Sequence, residues 1–351
     1  MQFDNATDKT LSYKLKTFLL TNRNGLNIEI LNYGGIISKI LIPDRDGNFK
    51  DIVLGFNSPE AYFGEHPYFG ALIGRFANRI ADGKFVLDNQ TYTLVKNNGS
   101  NHLHGGTIGF DKVFWDAESF ENENESGVVL KYVANDMEEG YPGNLTVCVT
   151  YSLTQDNTLK VAYHATTDKK TPINLTQHSY FNLSGDFSSK ILDHELTLNA
   201  DEFLELNENQ IPTGKYLEVA NSPFDFRTPK PIGKDIDKNN TQLAIGKGYD
   251  HCWVLKKDNK LAKIAEVYHP KSGRVLEVLT SEPGVQLYTA NFLDNTISAK
   301  TGGTYGARSG FCLETQHYPD SPNQTHFPTT LLGPGHTFTS ETWFRFSTKN
   351  N

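Results

Sequence analysis

No apolar run in the chain is long enough to span a bilayer, so a membrane anchor is not expected. Met1–Thr10 lacks the basic-then-apolar pattern of a secretory leader. Cysteine is scarce. Cys148, Cys252 and Cys312 are an odd set, widely spaced and without a Cys-x-x-Cys pair. They argue against a disulfide framework and a zinc site, and they fit a reducing cytoplasm. Clustered Lys/Arg is missing too, and the formal net charge of −8 disfavours a nucleic-acid partner. Gly-x-Ser-x-Gly, Gly-x-Gly-x-x-Gly and the phosphate-loop pattern are all absent, so neither a serine nucleophile nor a nucleotide cofactor is indicated. Nor is there an amphipathic helical pattern longer than a turn or two.

What remains is β-structure. A hydrophobic fraction of 37% with 12% aromatics suits a globular chain. Strand patterns cover Leu26–Leu31, Ile36–Ile42, Asp51–Phe56, Val128–Val133, Leu145–Leu153 and Thr158–Ala165. They continue over His194–Leu198, Cys252–Leu255, Ile264–Tyr268, Val275–Leu279, Val285–Ala290, Thr337–Thr339 and Glu341–Phe346. Asp46-Gly47, Asp88-Asn89 and Asp156-Asn157 supply hairpin turns, and Glu121–Glu125 reads as a solvated loop tip. Many short strands with regular turns and no composition break predict one all-β domain over residues 1–351, an antiparallel sandwich or barrel.

Some residues stand out chemically. Thr171–Gly185 reads as a strand carrying His178, which by itself is most simply a core histidine with a backbone partner. In Gly310–Gln316, alternation puts Phe311 and Leu313 on one face and Cys312 with Glu314 on the other. A carboxylate inside an apolar strand is costly unless it is paired or working, and a structural ion pair is its plain alternative. His178 and Glu314 on rigid elements make a plausible acid/base pair. Gln286 and Tyr288 share a strand face suited to a polar ligand edge. Asp250 precedes a strand as a turn cap would. Asn78 and Arg79 adjoin a small-residue stretch. His102 and His104 form a His-x-His, a weak metal signal with no third ligand at a recognised spacing, and Gly105-Gly106 would let backbone pass close to a ligand.

Several segments together resemble the aldose 1-epimerase family, the galactose mutarotases. They are Asn32-Tyr-Gly-Gly35, Gly74-Arg-Phe-Ala-Asn-Arg-Ile80, Asn101-His-Leu-His-Gly-Gly106, Gly109–Trp115, Gly140-Tyr-Pro-Gly143 and Thr176–Leu183. Ile211-Pro-Thr-Gly214, Phe224-Asp-Phe-Arg227, Gly248-Tyr-Asp250 and Glu314–Asp320 follow in family order, so the likeness covers nearly the whole chain. The resemblance implies a large twisted antiparallel β-sandwich with an open sugar cleft. It implies Glu314 as general base, His178 as general acid, and Asn78, Arg79, His104, Asp250 and Gln286 as sugar-holding residues. It further implies a small aldose such as galactose or glucose as substrate, no metal or cofactor, and a monomer or weak homodimer. Two rival readings are a non-catalytic carbohydrate-binding sandwich and a glycoside hydrolase or lyase, for which Asp250 with Glu314 could supply the two carboxylates of a hydrolase.

Overall fold

The computed structural model describes residues 14–255 and 260–350. Its described strands pair antiparallel in two main sheets, a smaller four-stranded one and five two-stranded pairs. Nine strands run in the order Asp116–Glu121, Glu125–Ala134, Leu145–Thr154, Thr158–Thr167, Phe338–Thr348, Arg274–Thr280, Ala262–Tyr268, Glu195–Leu198, Lys230–Pro231. Five strands form the second sheet, in the order Pro212–Glu218, Glu202–Leu206, Asp250–Val254, Gly284–Tyr288, Cys312–Gln316. The expected sandwich is therefore present, and the apolar faces of the two sheets meet in one core. Among the described residues the one α-helix is Thr241–Gly246, started by Asn240, whose side chain accepts from Gln242 N and Leu243 N.

The five-stranded sheet divides its two faces by the period of the strand. Trp253, Val285, Leu287 and Leu313 point into the core, where truncating such a leucine to alanine costs about 2–5 kcal/mol. Register sets Gln286 opposite both Cys252 and Glu314, and Tyr288 opposite both Asp250 and Cys312. Directly opposed residues share a face, so the other side of three adjacent strands carries Asp250, Gln286, Tyr288 and Glu314. The strand reading of Gly310–Gln316 is confirmed.

Three sequence expectations change. Thr171–Gly185 is not one strand: only Thr171–Pro172 and Thr176–Gln177 pair as strands. Its amides donate to carbonyls on separate segments, Ile173 to Thr330, Asn174 to Arg75, His178 to Ala71, Phe181 to Phe311 and Asn182 to Ile52. The segment threads between elements and is buried on every side, which produced an apolar pattern without a continuous ladder. Asp51–Phe56 is likewise mostly irregular, since the paired strand is Phe49–Asp51 and Val53 joins Phe181 by a single bridge. The two C-terminal strands are one, Phe338–Thr348.

Candidate active site

The polar face of the five-stranded sheet forms the floor of a cleft of about 300 Å³. Asn78, Arg79, His104, His178, Asp250 and Glu314 all line it, so six of the seven residues singled out from sequence converge. Gln286 does not line it. It lies 3% exposed behind Asp250, donating from Nε2 to Asp250 Oδ1 at 2.7 Å. Reasoning from sequence overlooked Tyr68, Asn98 and Gln210, which also border the cleft. Asn98 stands three residues before the Asn101–Gly106 segment, and Gln210 immediately precedes the Ile211–Gly214 segment. No residue-type signal marks Tyr68.

Asn78 knits the arginine loop to the histidine loop. In the left-handed region at φ 67, which asparagine tolerates, its Oδ1 accepts from Arg79 N at 2.9 Å. Its own amide donates to His104 Nδ1 at 3.2 Å, and its carbonyl accepts from His104 N. His104 Nδ1 thus accepts, and Nε2 is the protonated, donating nitrogen. Gly105 makes this approach possible in a way the sequence did not suggest. At φ 87, a Cβ there would sit 1.9 Å from Gly74 O, so the tight contact is with the arginine loop and not with a ligand. His102 points elsewhere, its Nε2 2.7 Å from the Tyr141 hydroxyl, so the two histidines do not share a face.

Arg79 is oriented from two sides, Nε to Asn98 Oδ1 at 3.0 Å and Nη2 to Gln210 Oε1 at 2.7 Å. The motif's other arginine, Arg75, is buried away from the cleft, donating to Pro142 O and Thr171 Oγ1. Phe76 between them is fully buried with Ile80, Phe85 and Tyr141. Asp250 is held by Gln286 on one oxygen and by Gln210 Nε2, at 3.3 Å, on the other.

His178 and Glu314 face each other at Nε2–Oε1 3.6 Å, both almost fully buried. The His178 ring stacks on Tyr180 at 5.1 Å, and its Nδ1 lies 3.5 Å from Cys312 Sγ. Burial pushes Glu314 well above the usual carboxylate range; nearby Asp250 adds to the rise, while Arg79 opposes it. Burial pushes His178 down to about 4. Asp250 is also raised by burial, against Arg79 and the Gln286 hydrogen bond. Glu314 Oε2 and Gln286 Oε1 have no hydrogen-bond partner among the described residues. Buried unpaired polar atoms are rare, and of these two Glu314 Oε2 belongs to a residue that lines the cleft, where a hydroxylated ligand would satisfy it.

His104, His178 and Glu314 offer ligand atoms within 4.8 Å of one another, the geometry of a metal site. The hydrogen bond from Asn78 argues against that use. A liganding histidine donates its second N–H outward, whereas His104 Nδ1 faces an incoming N–H. The trio Asp193, His194 and His269 fails in the same way, because Leu183 N donates to His194 Nε2.

A buried carboxyl and imidazole facing each other over a polar cleft, on an antiparallel sandwich, define an acid/base enzyme acting on a small hydroxylated molecule. Comparison with known proteins gives the family. The aldose 1-epimerase family profile matches residues 16–345, and the chain belongs to that family. It is 48% identical over 322 residues to the galactose mutarotase of Sus scrofa, covering 92% of this chain and 91% of that one. With the aldose 1-epimerase of Escherichia coli K12 it shares 38% over 337 residues, 95% of each chain. A solved aldose epimerase homologue from C. elegans superposes with a TM-score of 0.86 at 31% identity, over 96% of this chain and all of that one. The chain is thus an isomerase of the aldose 1-epimerase type, and the non-catalytic reading gives way. Among the described residues no helix is long and apolar enough to cross a membrane.

Proposed function

We propose that the cleft opens and recloses the ring of D-galactose, and of D-glucose, interconverting the α and β anomers. Relatives at 45–48% identity over 92% of the chain carry the name galactose mutarotase, which supports galactose as the first sugar to test. The observation that carries the reading is the Glu314–His178 pair, with one carboxylate oxygen unpartnered at the cleft. Glu314 takes the proton from O1 while His178 gives one to O5. The aldehyde turns about C1–C2, and the same transfers run backward on its other face. Nothing is oxidised and no leaving group departs, so the chemistry asks for no metal or cofactor.

The pair must share one proton. Burial favours the uncharged arrangement, a carboxylic acid beside a neutral imidazole. That is also the arrangement left after ring opening, so the cleft at rest is matched to the open aldehyde. The charged arrangement that begins the step is favoured by Arg79, whose charge opposes the rise of the carboxyl.

A pH profile follows from this proton count. Adding a second proton removes the base, and removing the last one removes the acid. kcat/KM is expected to be bell-shaped, with an acid limb around pH 4, where burial puts His178, and an alkaline limb well above an ordinary carboxylate. A profile still rising through neutrality with a midpoint near 6.5, the ordinary histidine value, would contradict it.

Arg79, His104 and Asp250 hold the ring hydroxyls by fixed hydrogen bonds. Asp250→Ala releases Gln286 and Gln210 together with the sugar. The loss of a charged hydrogen-bond acceptor is worth about 1.5–3 kcal/mol, or about 10–100-fold in kcat/KM, with a raised KM. Initial rates against sugar concentration check it. Glycoside hydrolysis is disfavoured because the groups that face each other at the cleft are a carboxyl and an imidazole, Glu314 and His178, and not the two carboxylates a hydrolase sets across the scissile bond.

Three free thiols suit a reducing compartment, and we place the enzyme in the cytoplasm as a monomer or weak dimer without a nucleic-acid partner. Polarimetry on freshly dissolved α-D-galactose tests the reading. The protein is expected to accelerate the approach to equilibrium rotation. An unchanged spontaneous rate with both galactose and glucose would refute it.

A further inference from the structure

A second polar cavity, of about 500 Å³, lies where the large sheet approaches the end of the Cys312–Gln316 strand. Tyr163 and Ser340, directly opposed on paired strands, line one side. Ser281 and Glu282, following the Arg274–Thr280 strand, and His317 line the other. The epimerase chemistry uses none of them.

The Tyr163 hydroxyl and Ser340 Oγ are buried, at 4% and 7% exposure, and find no hydrogen-bond partner among the described residues. Phenylalanine and alanine would fill these core-facing positions without that cost. Glu282, 5% exposed, is met by His317 Nδ1 at 2.7 Å from Oε2, a contact that raises the imidazole against the effect of its burial. The pair neutralises itself, and the one further carboxylate, Glu341 at the rim, accepts from the Trp343 indole, so the interior carries hydrogen-bonding groups and no concentrated charge. It offers two unsatisfied hydroxyls, a carboxylate and an imidazole, all able to bond alcohol groups, in a volume typical of small-molecule sites.

We propose that this cavity is a second, non-catalytic binding site for a neutral polyhydroxylated molecule of monosaccharide size, held by Tyr163, Ser340 and the Glu282–His317 pair. The site adjoins the catalytic strand through a hydroxyl chain. Thr315 Oγ1 lies 2.6 Å from Thr342 Oγ1, which lies 3.0 Å from Thr280 Oγ1, and Thr280 Oγ1 accepts from Glu282 N.

Trp343 provides a reporter, because its indole N–H donates to Glu341 Oε2 at the cavity rim, while Trp115 and Trp253 are buried elsewhere. The full chain, labelled with ¹⁵N, is titrated with D-galactose through the millimolar range. The Trp343 indole signal, assigned with Trp343→Phe, is expected to shift saturably. Its midpoint should stay unchanged in Asp250→Ala and weaken about three- to tenfold in Tyr163→Phe and in Ser340→Ala. Three results would overturn the proposal: no saturable shift, which leaves water as the occupant; a shift lost in Asp250→Ala, which assigns it to the cleft; or a shift indifferent to both cavity variants. Anomer exchange is measured separately, so loss of this site leaves the epimerase reading standing and the reverse also holds.

Discussion

Glu314→Gln lowers the catalysed anomer exchange by about 10²–10⁴-fold, the range one positioned proton-transfer group supplies, while sugar affinity stays within a few-fold. Several facts make this substitution clean. Glutamine nearly matches the shape of the carboxylic acid that burial favours at rest, so it introduces no new buried charge. Leu313 and Thr315 keep the strand anchored in the core on either side. The amide also still reaches the cleft where Oε2 now lacks a partner. What it cannot do is take a proton from O1. Full-progress polarimetry gives the rate, and equilibrium binding of galactose gives the affinity; a variant with near-normal turnover would remove Glu314 from the role of base.

His178→Asn is expected to produce a loss of similar size, about 10²–10⁴-fold, with a distinct pH signature. With the imidazole gone, Glu314 alone must ionise before it can act. Burial holds its pKa well above the usual carboxylate range, so the residual rate should rise with pH past the point where an ordinary glutamate is already ionised. The acid limb around pH 4 should vanish with the group that sets it. Asparagine leaves space against Tyr180 and His104, whose rings lie 5.1 and 5.2 Å from the histidine, so thermal unfolding should be followed alongside. A residual profile identical in shape to the wild type would mean that His178 is not part of the proton exchange.

Sequence showed the strands where one face is core and the other is not. Gly284–Tyr288 and Cys312–Gln316 alternate cleanly because Leu287 and Leu313 face the interior while Gln286 and Glu314 face the opposite side. The same alternation located Glu314 without any knowledge of its partners. It misled at His178, whose segment is enclosed on all sides and spends its amides on five different carbonyls. Burial on every side erases the period of two that distinguishes a strand from a threaded loop.

The contacts that orient the site were harder to read. Gln210 joins Arg79 to Asp250, yet it stands 131 residues from the one and 40 from the other. Such a bridge arises only from the way distant loops are brought together. Gly105-Gly106 was legible as a place of close approach, but only the fold reveals that the neighbours are the Gly74 backbone at Gly105 and the Glu139 side chain at Gly106. Gln286 was correctly placed on the polar face, one layer behind where the resemblance implied, because Asp250 covers it.

The most direct test of the central claim is exchange NMR on D-galactose at anomeric equilibrium. Inverting the α anomeric proton and following the β signal measures interconversion with no net reaction, and wild type is compared with Glu314→Gln and His178→Asn under one condition. The account predicts rapid transfer with the wild type and only the spontaneous rate with either variant. Transfer at the wild-type rate in both variants would contradict it, because the proton exchange would then belong to other groups.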